Sequence, residues 1–230
     1  MPPSDSPAAL NDTLDALFDA ERSVRRAHIE IVDSDPKLLL PLVENALKDS
    51  LANDDEDERA LRLVRLAAVL GELEGPKPID MLIDILGCED PEARHAAGVA
   101  LEDLAYDRFK EVALGVERAL ERLPVGNLAL SELPYLLADI PEGGVMKLLA
   151  RFLAHADPEA VAGAIEALVE LGDPSAAPLL APLEKDTRTV QLEDDEGEDG
   201  KVGLGELATE ARQLLLGAPD PNDAPRGGKR

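Results

Sequence analysis

The chain has 230 residues, enough for one large domain or two small ones, and 45% of them are apolar, so a substantial core is available. With 2% aromatics and no Trp, that core must be built from Leu, Ala, Val and Ile, which favours close-packed helices over a sandwich or barrel. A formal charge of −25, from 48 acidic and 23 basic residues, repels phosphate backbones and anionic lipid and argues against nucleic acid and membrane surfaces as partners.

Cys88 is the only cysteine, which excludes an intrachain disulfide and suits a reducing compartment. The opening MPPSDSPAALNDTLD lacks the basic start and apolar core of a secretory signal, and no apolar run is long enough to span a bilayer. A cytoplasmic location is expected. Residues 1–7 are small, polar and proline-rich and are expected to be disordered. From Ala8 to Val32 the pattern is helical, with Leu10, Leu14, Leu17, Phe18, Val24 and Ile31 as apolar points. The part from Glu21 onward should serve as the first helix of a first hairpin. Asp35-Pro36 opens its partner, which carries Leu38 to Leu42, Val43 and Leu47, and Pro41 should kink that helix or mark its true start.

The acidic run Asp54–Glu58 precedes ALRLVRLAAVLGEL and suits the positive end of a helix dipole better than a ligand. Gly75-Pro76 breaks the chain, and Ile79, Leu82, Ile83 and Leu86 form the next apolar stripe. Asp90-Pro91 opens a helix followed by a partner from about Asp107 to Leu123, with Phe109, Val112, Val116 and Leu120 inward. Asn127 caps LALSELPYLLADI, where Pro134 should introduce a kink, and the helix after Gly144 carries Val145, Leu148, Leu149 and Phe152.

Asp157–Glu184 is the cleanest unit. Asp157-Pro158 starts a helix whose Ala160, Ala164, Ala167, Leu168 and Leu171 share one stripe, Gly172 ends it, and Asp173-Pro174 starts a second helix with Leu179, Leu180 and Leu183 to bury. Neither helix can hide its apolar face alone, which is the signature of a stacking repeat. PEARHAAGVALEDL at Pro91 aligns without a gap on PEAVAGAIEALVEL at Pro158, and Leu73, Leu104, Leu137 and Leu171 recur at the same phase. The expected fold is therefore all-α, a solenoid of about five helical hairpins spanning residues 8–216. It carries a small β-hairpin or loop insertion at 187–203, a capping helix at 204–216 and a flexible tail at 217–230.

Gly172-Asp173-Pro174-Ser175-Ala176-Ala177-Pro178-Leu179-Leu180 resembles the turn between helices in HEAT repeats of the short, phycobilin-lyase-like variety. Asp90-Pro91-Glu92-Ala93-Arg94 and Asp157-Pro158-Glu159-Ala160-Val161 resemble the Asp-Pro-x-Val-Arg opening of that variety, and Val64–Leu73 resembles its helix body. The resemblance covers roughly Glu21–Glu184 and implies a right-handed superhelix whose second helices line a concave face. It implies no particular function, since most such proteins are adaptors and a few are enzymes.

No reaction is announced. His28, His95 and His155 lie in different hairpins without the i, i+4 pairing of a helical metal site, so they read as ordinary helix-face histidines, and Cys88 as a buried structural thiol. Glu193–Asp199 fails the EF-hand frame and reads as a solvated acidic turn. No cofactor and no metal are expected, and the chain is expected not to be an enzyme. The expected role is a scaffold or adaptor offering its groove to a protein or peptide, basic or amphipathic in character, in a prokaryotic signalling or assembly pathway. Candidate partner-binding residues are Asp80 and Asp84, Lys147 and Arg151, each pair one helical turn apart, and Glu193, Asp194 and Asp195 of the acidic turn. The alternative is a lyase- or chaperone-like repeat protein that holds a tetrapyrrole or similar ligand, with Cys88, Tyr106 or Tyr135 near it.

Overall fold

A computed structural model describes residues 6–193 and 199–217. The remaining residues, which include most of the first seven, Asp194, Asp195 and nearly all of the tail, lie outside that description, so those expectations stay as stated. In chain order the helices are α1 (Pro7–Val32), α2 (Pro36–Leu51), α3 (Glu56–Gly71), α4 (Pro76–Leu86), α5 (Pro91–Arg122), α6 (Leu128–Ala138), α7 (Val145–Phe152), α8 (Pro158–Leu171) and α9 (Ala177–Leu180). An antiparallel pair, β1 (Thr189–Glu193) and β2 (Asp199–Gly203), then leads into α10 (Leu204–Leu215).

The helix starts follow from the sequence. Asp35, Asp55, Asp90, Asn127 and Asp157 each accept a backbone N–H of the first turn, and proline follows immediately at α2, α5 and α8. Glu56, Asp57 and Glu58 sit in the first turn of α3, where the dipole favours them. Gly172 ends α8 at φ +62°, a left-handed cap that a Cβ would strain.

These helices stack as a solenoid. First helices pack on first helices, α3 on α5, α6 on α8 and α8 on α10, while α2, α4, the 109–122 arm of α5 and α7 form the second row. The core runs unbroken along the stack, with Leu63, Leu70, Ile79, Leu82, Leu101, Leu130, Leu133 and Leu137 removed from water at about 1.5–3 kcal/mol each. The recurring leucines Leu73, Leu104 and Leu137 are buried in it, and Leu171 packs at its edge. Close approach depends on small residues: Gly71 faces the Ala100 methyl, and a Cβ there would lie 3.2 Å from it.

Four expectations are corrected. The helix expected from Ala8 to Val32 is present as one rod from Pro7 to Val32 with its apolar points exposed, and Ser6 and Pro7, expected to be disordered with the rest of 1–7, cap and open it. The third hairpin has no loop: α5 continues from its first helix into its second through a single non-helical residue, Arg108 (φ −135°, ψ 45°). The second helix of the Asp157–Glu184 unit is a succession of a 3-10 turn (Pro174–Ala176), α9 and another 3-10 turn (Ala181–Lys185). Pro178 and Pro182 remove the N–H donors an unbroken α-helix would need. His155 lies in the turn after α7 rather than on a helix face, accepting the Asp157 N–H on Nδ1 at 3.1 Å. Pro41 and Pro134 sit inside α2 and α6.

The hairpin insertion is pinned to the stack by Arg188. Its guanidinium donates to the His155 and Ala156 carbonyls at 2.9 and 3.0 Å and grips the Asp186 carboxylate. Val190 of β1 is buried.

Candidate partner-binding face

The second helices present a face built on a repeating charge pattern. On α4, Asp80 and Asp84 stand one turn apart; on the 109–122 arm of α5, Arg118 and Arg122 repeat that spacing. The two helices sit in a register that matches them pair by pair. Arg118 Nη2 lies 2.8 Å from Asp80 Oδ1, and Arg122 Nη1 donates to Asp84 Oδ1 at 2.6 Å and Nη2 to the Asp80 carbonyl at 3.0 Å. The motif recurs on either side. Glu44 of α2 accepts from Lys48 of its own helix and from Lys77 of α4, both at 3.1 Å. Glu117 and Glu121 of α5 meet Arg151 of α7 at 2.5 and 3.5 Å. At every step the acid belongs to the earlier helix and the base to the next.

Charges on this ladder are held, not free. Burial pushes the Asp84 carboxyl above the ordinary carboxylate range, and its Arg122 contact opposes that shift. The hydrogen bonds from Lys48 and Lys77 hold Glu44 below its ordinary value. A cleft of about 310 Å³ opens where α2 meets α4, with Leu47 and Met81 and the half-exposed Leu51 as its apolar lining and Glu44, Asp84 and Arg122 around it.

Of the residues singled out from sequence, Asp80, Asp84 and Arg151 are brought into the ladder. Lys147 stands exposed on α7, one turn before Arg151. Glu193 ends β1, on a different part of the molecule from the ladder. The partners Arg118, Arg122, Glu44, Lys77, Glu117 and Glu121 were not singled out. A signal for them existed: Asp80–Arg118 and Asp84–Arg122 are both 38 residues apart, one repeat along the second row.

The first helices form a second concavity of about 380 Å³ between α5 and α6, lined by His95, Glu102, Tyr135 and Asp139. Tyr135 donates its hydroxyl to Glu166 Oε2 at 2.7 Å, and burial followed by that carboxylate raises its pKa. Glu102 is raised by burial and then by Asp139 and Asp103. Tyr106 is exposed and donates to the Asp139 carbonyl at 3.3 Å. The Cys88 thiol lies 3.6 Å from the Asp90 carbonyl, and burial raises its pKa, away from the thiolate form a nucleophile needs. Among the described residues no group of three or more His, Cys, Asp or Glu side chains is placed to hold a metal ion, and no helix is long and apolar enough to cross a membrane.

No protein-family model matches the chain, and no curated protein matches it. Among solved structures it is similar to an engineered protein from a structural genomics consortium, at 19% identity and TM-score 0.35, over 84% of this chain and 90% of that one. It is also similar to computationally designed armadillo repeat proteins for modular peptide recognition, at 13% identity and TM-score 0.33, over 87% of this chain and 93% of that one. A designed armadillo repeat protein in complex with the peptide (KR)4 matches at 14% identity and TM-score 0.33, over 86% and 92%. Likeness at that level says nothing of what this chain binds.

Proposed function

We propose that this chain is a non-enzymatic interaction scaffold whose second-helix row receives a protein or peptide segment. The observation that carries this reading is the ladder: an ordered row of half-exposed carboxylates and guanidiniums beside a cleft with an apolar lining. Such a row fixes register by offering alternate acceptors and donors at one-turn spacing, and the cleft at Leu47 and Met81 supplies a pocket for an anchoring side chain. Asp80, Asp84 and Arg151 would make polar contacts, with Lys147 at the far end. The resemblance to the short phycobilin-lyase-like HEAT variety and a cytoplasmic place of action belong to the same reading.

The test is a peptide array screened against the purified chain at moderate salt, followed by titration of the strongest binder. Leu51→Asp, at a 40% exposed position of the cleft, should weaken that binder at least tenfold while leaving thermal unfolding cooperative. Binding that ignores Leu51→Asp, Arg122→Ala and Lys147→Ala alike would reject the second-helix row as the receptor. The ligand-holding alternative would use the cleft at His95, Glu102 and Tyr135, and a visible absorption band in freshly purified protein would select it.

A further inference from the structure

Among the described residues nothing covers the apolar stripe of α1. No residue of α1 is buried, although Leu10, Leu14, Leu17 and Phe18 recur on one helical face. Leu10 is 56% exposed, Leu17 61% and Phe18 52%. Four large side chains grouped in this way make a patch, not the scattered exposure that every protein surface shows.

Further along, α1 is docked. His28 Nε2 meets Glu72 Oε1 of α3 at 2.6 Å across 44 residues of sequence. The same offset, carried about three turns toward the start of both helices, matches Leu17 in register to Leu61 of α3, and Leu61 is 59% exposed as well. Two leucines matched in register, each mostly in water, leave α1 and the start of α3 with an uncovered apolar strip, the seam.

Charge decides what fits the seam. From Pro7 to Ala20 there is no Lys or Arg, and Asp12, Asp15 and Asp19 flank the leucines. Among the described residues only Asp19 of the three has a cation beside it, Arg22. The same offset matches the first turn of α3, with Glu56, Asp57 and Glu58, to this half of α1, and among the described residues only Glu58 of the three is paired, to Arg62 at 2.6 Å. A second copy of the chain would bring its own Asp12 and Asp15 to the same rim, on a molecule already at −25. Residues 218–230 hold no Leu, Ile, Val, Phe or Met to cover the stripe from within the chain. We propose that the seam of Leu10, Leu14, Leu17, Phe18 and Leu61 docks a basic amphipathic helix, its apolar face in the seam and its lysines or arginines over the acidic rim. This surface is separate from the second-helix row, so the chain would engage a helix at its first hairpin and an extended segment further along.

The probe is a labelled peptide of about three helical turns with leucines at i, i+3, i+4 and i+7 and lysines elsewhere, titrated by fluorescence anisotropy against the full chain. A scrambled peptide of equal composition is the control. Saturable binding of the ordered peptide, at least tenfold tighter than the scrambled one, is expected. L14S/L17S should weaken it at least tenfold, and D12N/D15N should weaken it several-fold and flatten its salt dependence. All four positions are exposed, so urea midpoints should stay at the wild-type value and exclude unfolding as the cause. Equal binding of ordered and scrambled peptides, or binding that ignores both variants, would overturn the proposal. So would a wild-type dimer in sedimentation that dissociates in L14S/L17S, because a second copy would then be the occupant. Binding abolished by Leu51→Asp but untouched by L14S/L17S would overturn the seam alone and leave the second-helix row standing.

Discussion

Arg122 holds two adjacent turns of α4 at once: Nη1 donates to the Asp84 carboxylate at 2.6 Å and Nη2 to the Asp80 carbonyl at 3.0 Å. One guanidinium therefore fixes both the register and the distance between successive second helices, which a lysine, with its single point charge, cannot do. The partner it holds is a carboxylate that burial disfavours in its charged form.

That imbalance makes the pair asymmetric under mutation. Arg122→Ala leaves Asp84 in its half-buried setting without a cation and should cost about 1 kcal/mol in urea unfolding, the scale of a partly exposed ion pair. Asp84→Asn on top of Arg122→Ala should restore part of that loss by removing the stranded charge. A double variant no more stable than the single one would show that Asp84 is solvated well enough to stand alone.

Glycines test the solenoid packing. Gly163 of α8 lies under α6, where an added Cβ would meet the Ser131 carbonyl oxygen at 3.0 Å, a backbone atom that cannot rotate aside. Gly163→Ala should lose about 1–3 kcal/mol to overpacking despite alanine's better helix propensity. Gly98 of α5 has only the Leu86 Cδ1 atom, at 3.9 Å, near the same construction. Gly98→Ala should therefore gain about 0.5–1 kcal/mol. Paired thermal melts of the two variants decide it, and shifts of the same sign would contradict the α6–α8 contact.

How much of this could be read from the chain divides along the line between local and tertiary causes. Asp35, Asp90 and Asp157 before proline mark helix starts because capping involves only neighbours in sequence. The recurrence of Leu73, Leu104, Leu137 and Leu171 marks the stack because every unit buries the same stripe. By contrast, the periodicity of Leu10 to Phe18 shows that α1 has an apolar face but cannot say whether a neighbour covers it. The start of the second helix at about Asp107 is legible, but with no Gly or Pro at Arg108 nothing local announces that the two helices join without a loop. Asp80 and Asp84 were legible as a one-turn pair, yet their cations are a full repeat away, and only the register of α4 against α5 brings them together. Pro178 and Pro182 were legible signals against a continuous helix, overruled by the apolar pattern of Leu179, Leu180 and Leu183.

The hairpin anchor gives the pH response a sign. Only 15% of the Asp186 side chain is exposed, and the Arg188 guanidinium holds its carboxyl below the ordinary aspartate range. A carboxyl whose pKa falls on folding stabilises the fold above its unfolded value of about 3.9 and loses that contribution as pH drops through the lowered folded value. Asp186→Asn should be the less stable protein at neutral pH, and the gap should close on acidification below about pH 4. Urea midpoints followed across that range read it directly; a gap that widens toward acid would reverse the assignment.

Asp157 is the side chain on which three segments converge. It is 2% exposed, its Oδ1 accepts the Glu159 N–H at 3.1 Å to cap α8, and its Oδ2 accepts the Gly126 N–H at 2.7 Å in the turn before α6. Gly126 sits at φ +88°, a conformation that the carboxylate helps to hold and that glycine adopts without strain. His155 meanwhile accepts the Asp157 N–H on Nδ1, so its Nε2 carries the proton and donates to the Leu120 carbonyl at 3.3 Å, tying the same corner to α5. Asp157→Ala removes a cap and strands the Gly126 N–H, and should cost about 2 kcal/mol. Asp157→Asn keeps one acceptor oxygen and so can satisfy one of the two N–H groups but not both. Its loss should fall between wild type and alanine. If asparagine proves as damaging as alanine, the negative charge rather than the two acceptors is what that corner needs, and if both variants match wild type, the α6 and α8 starts are held by packing alone.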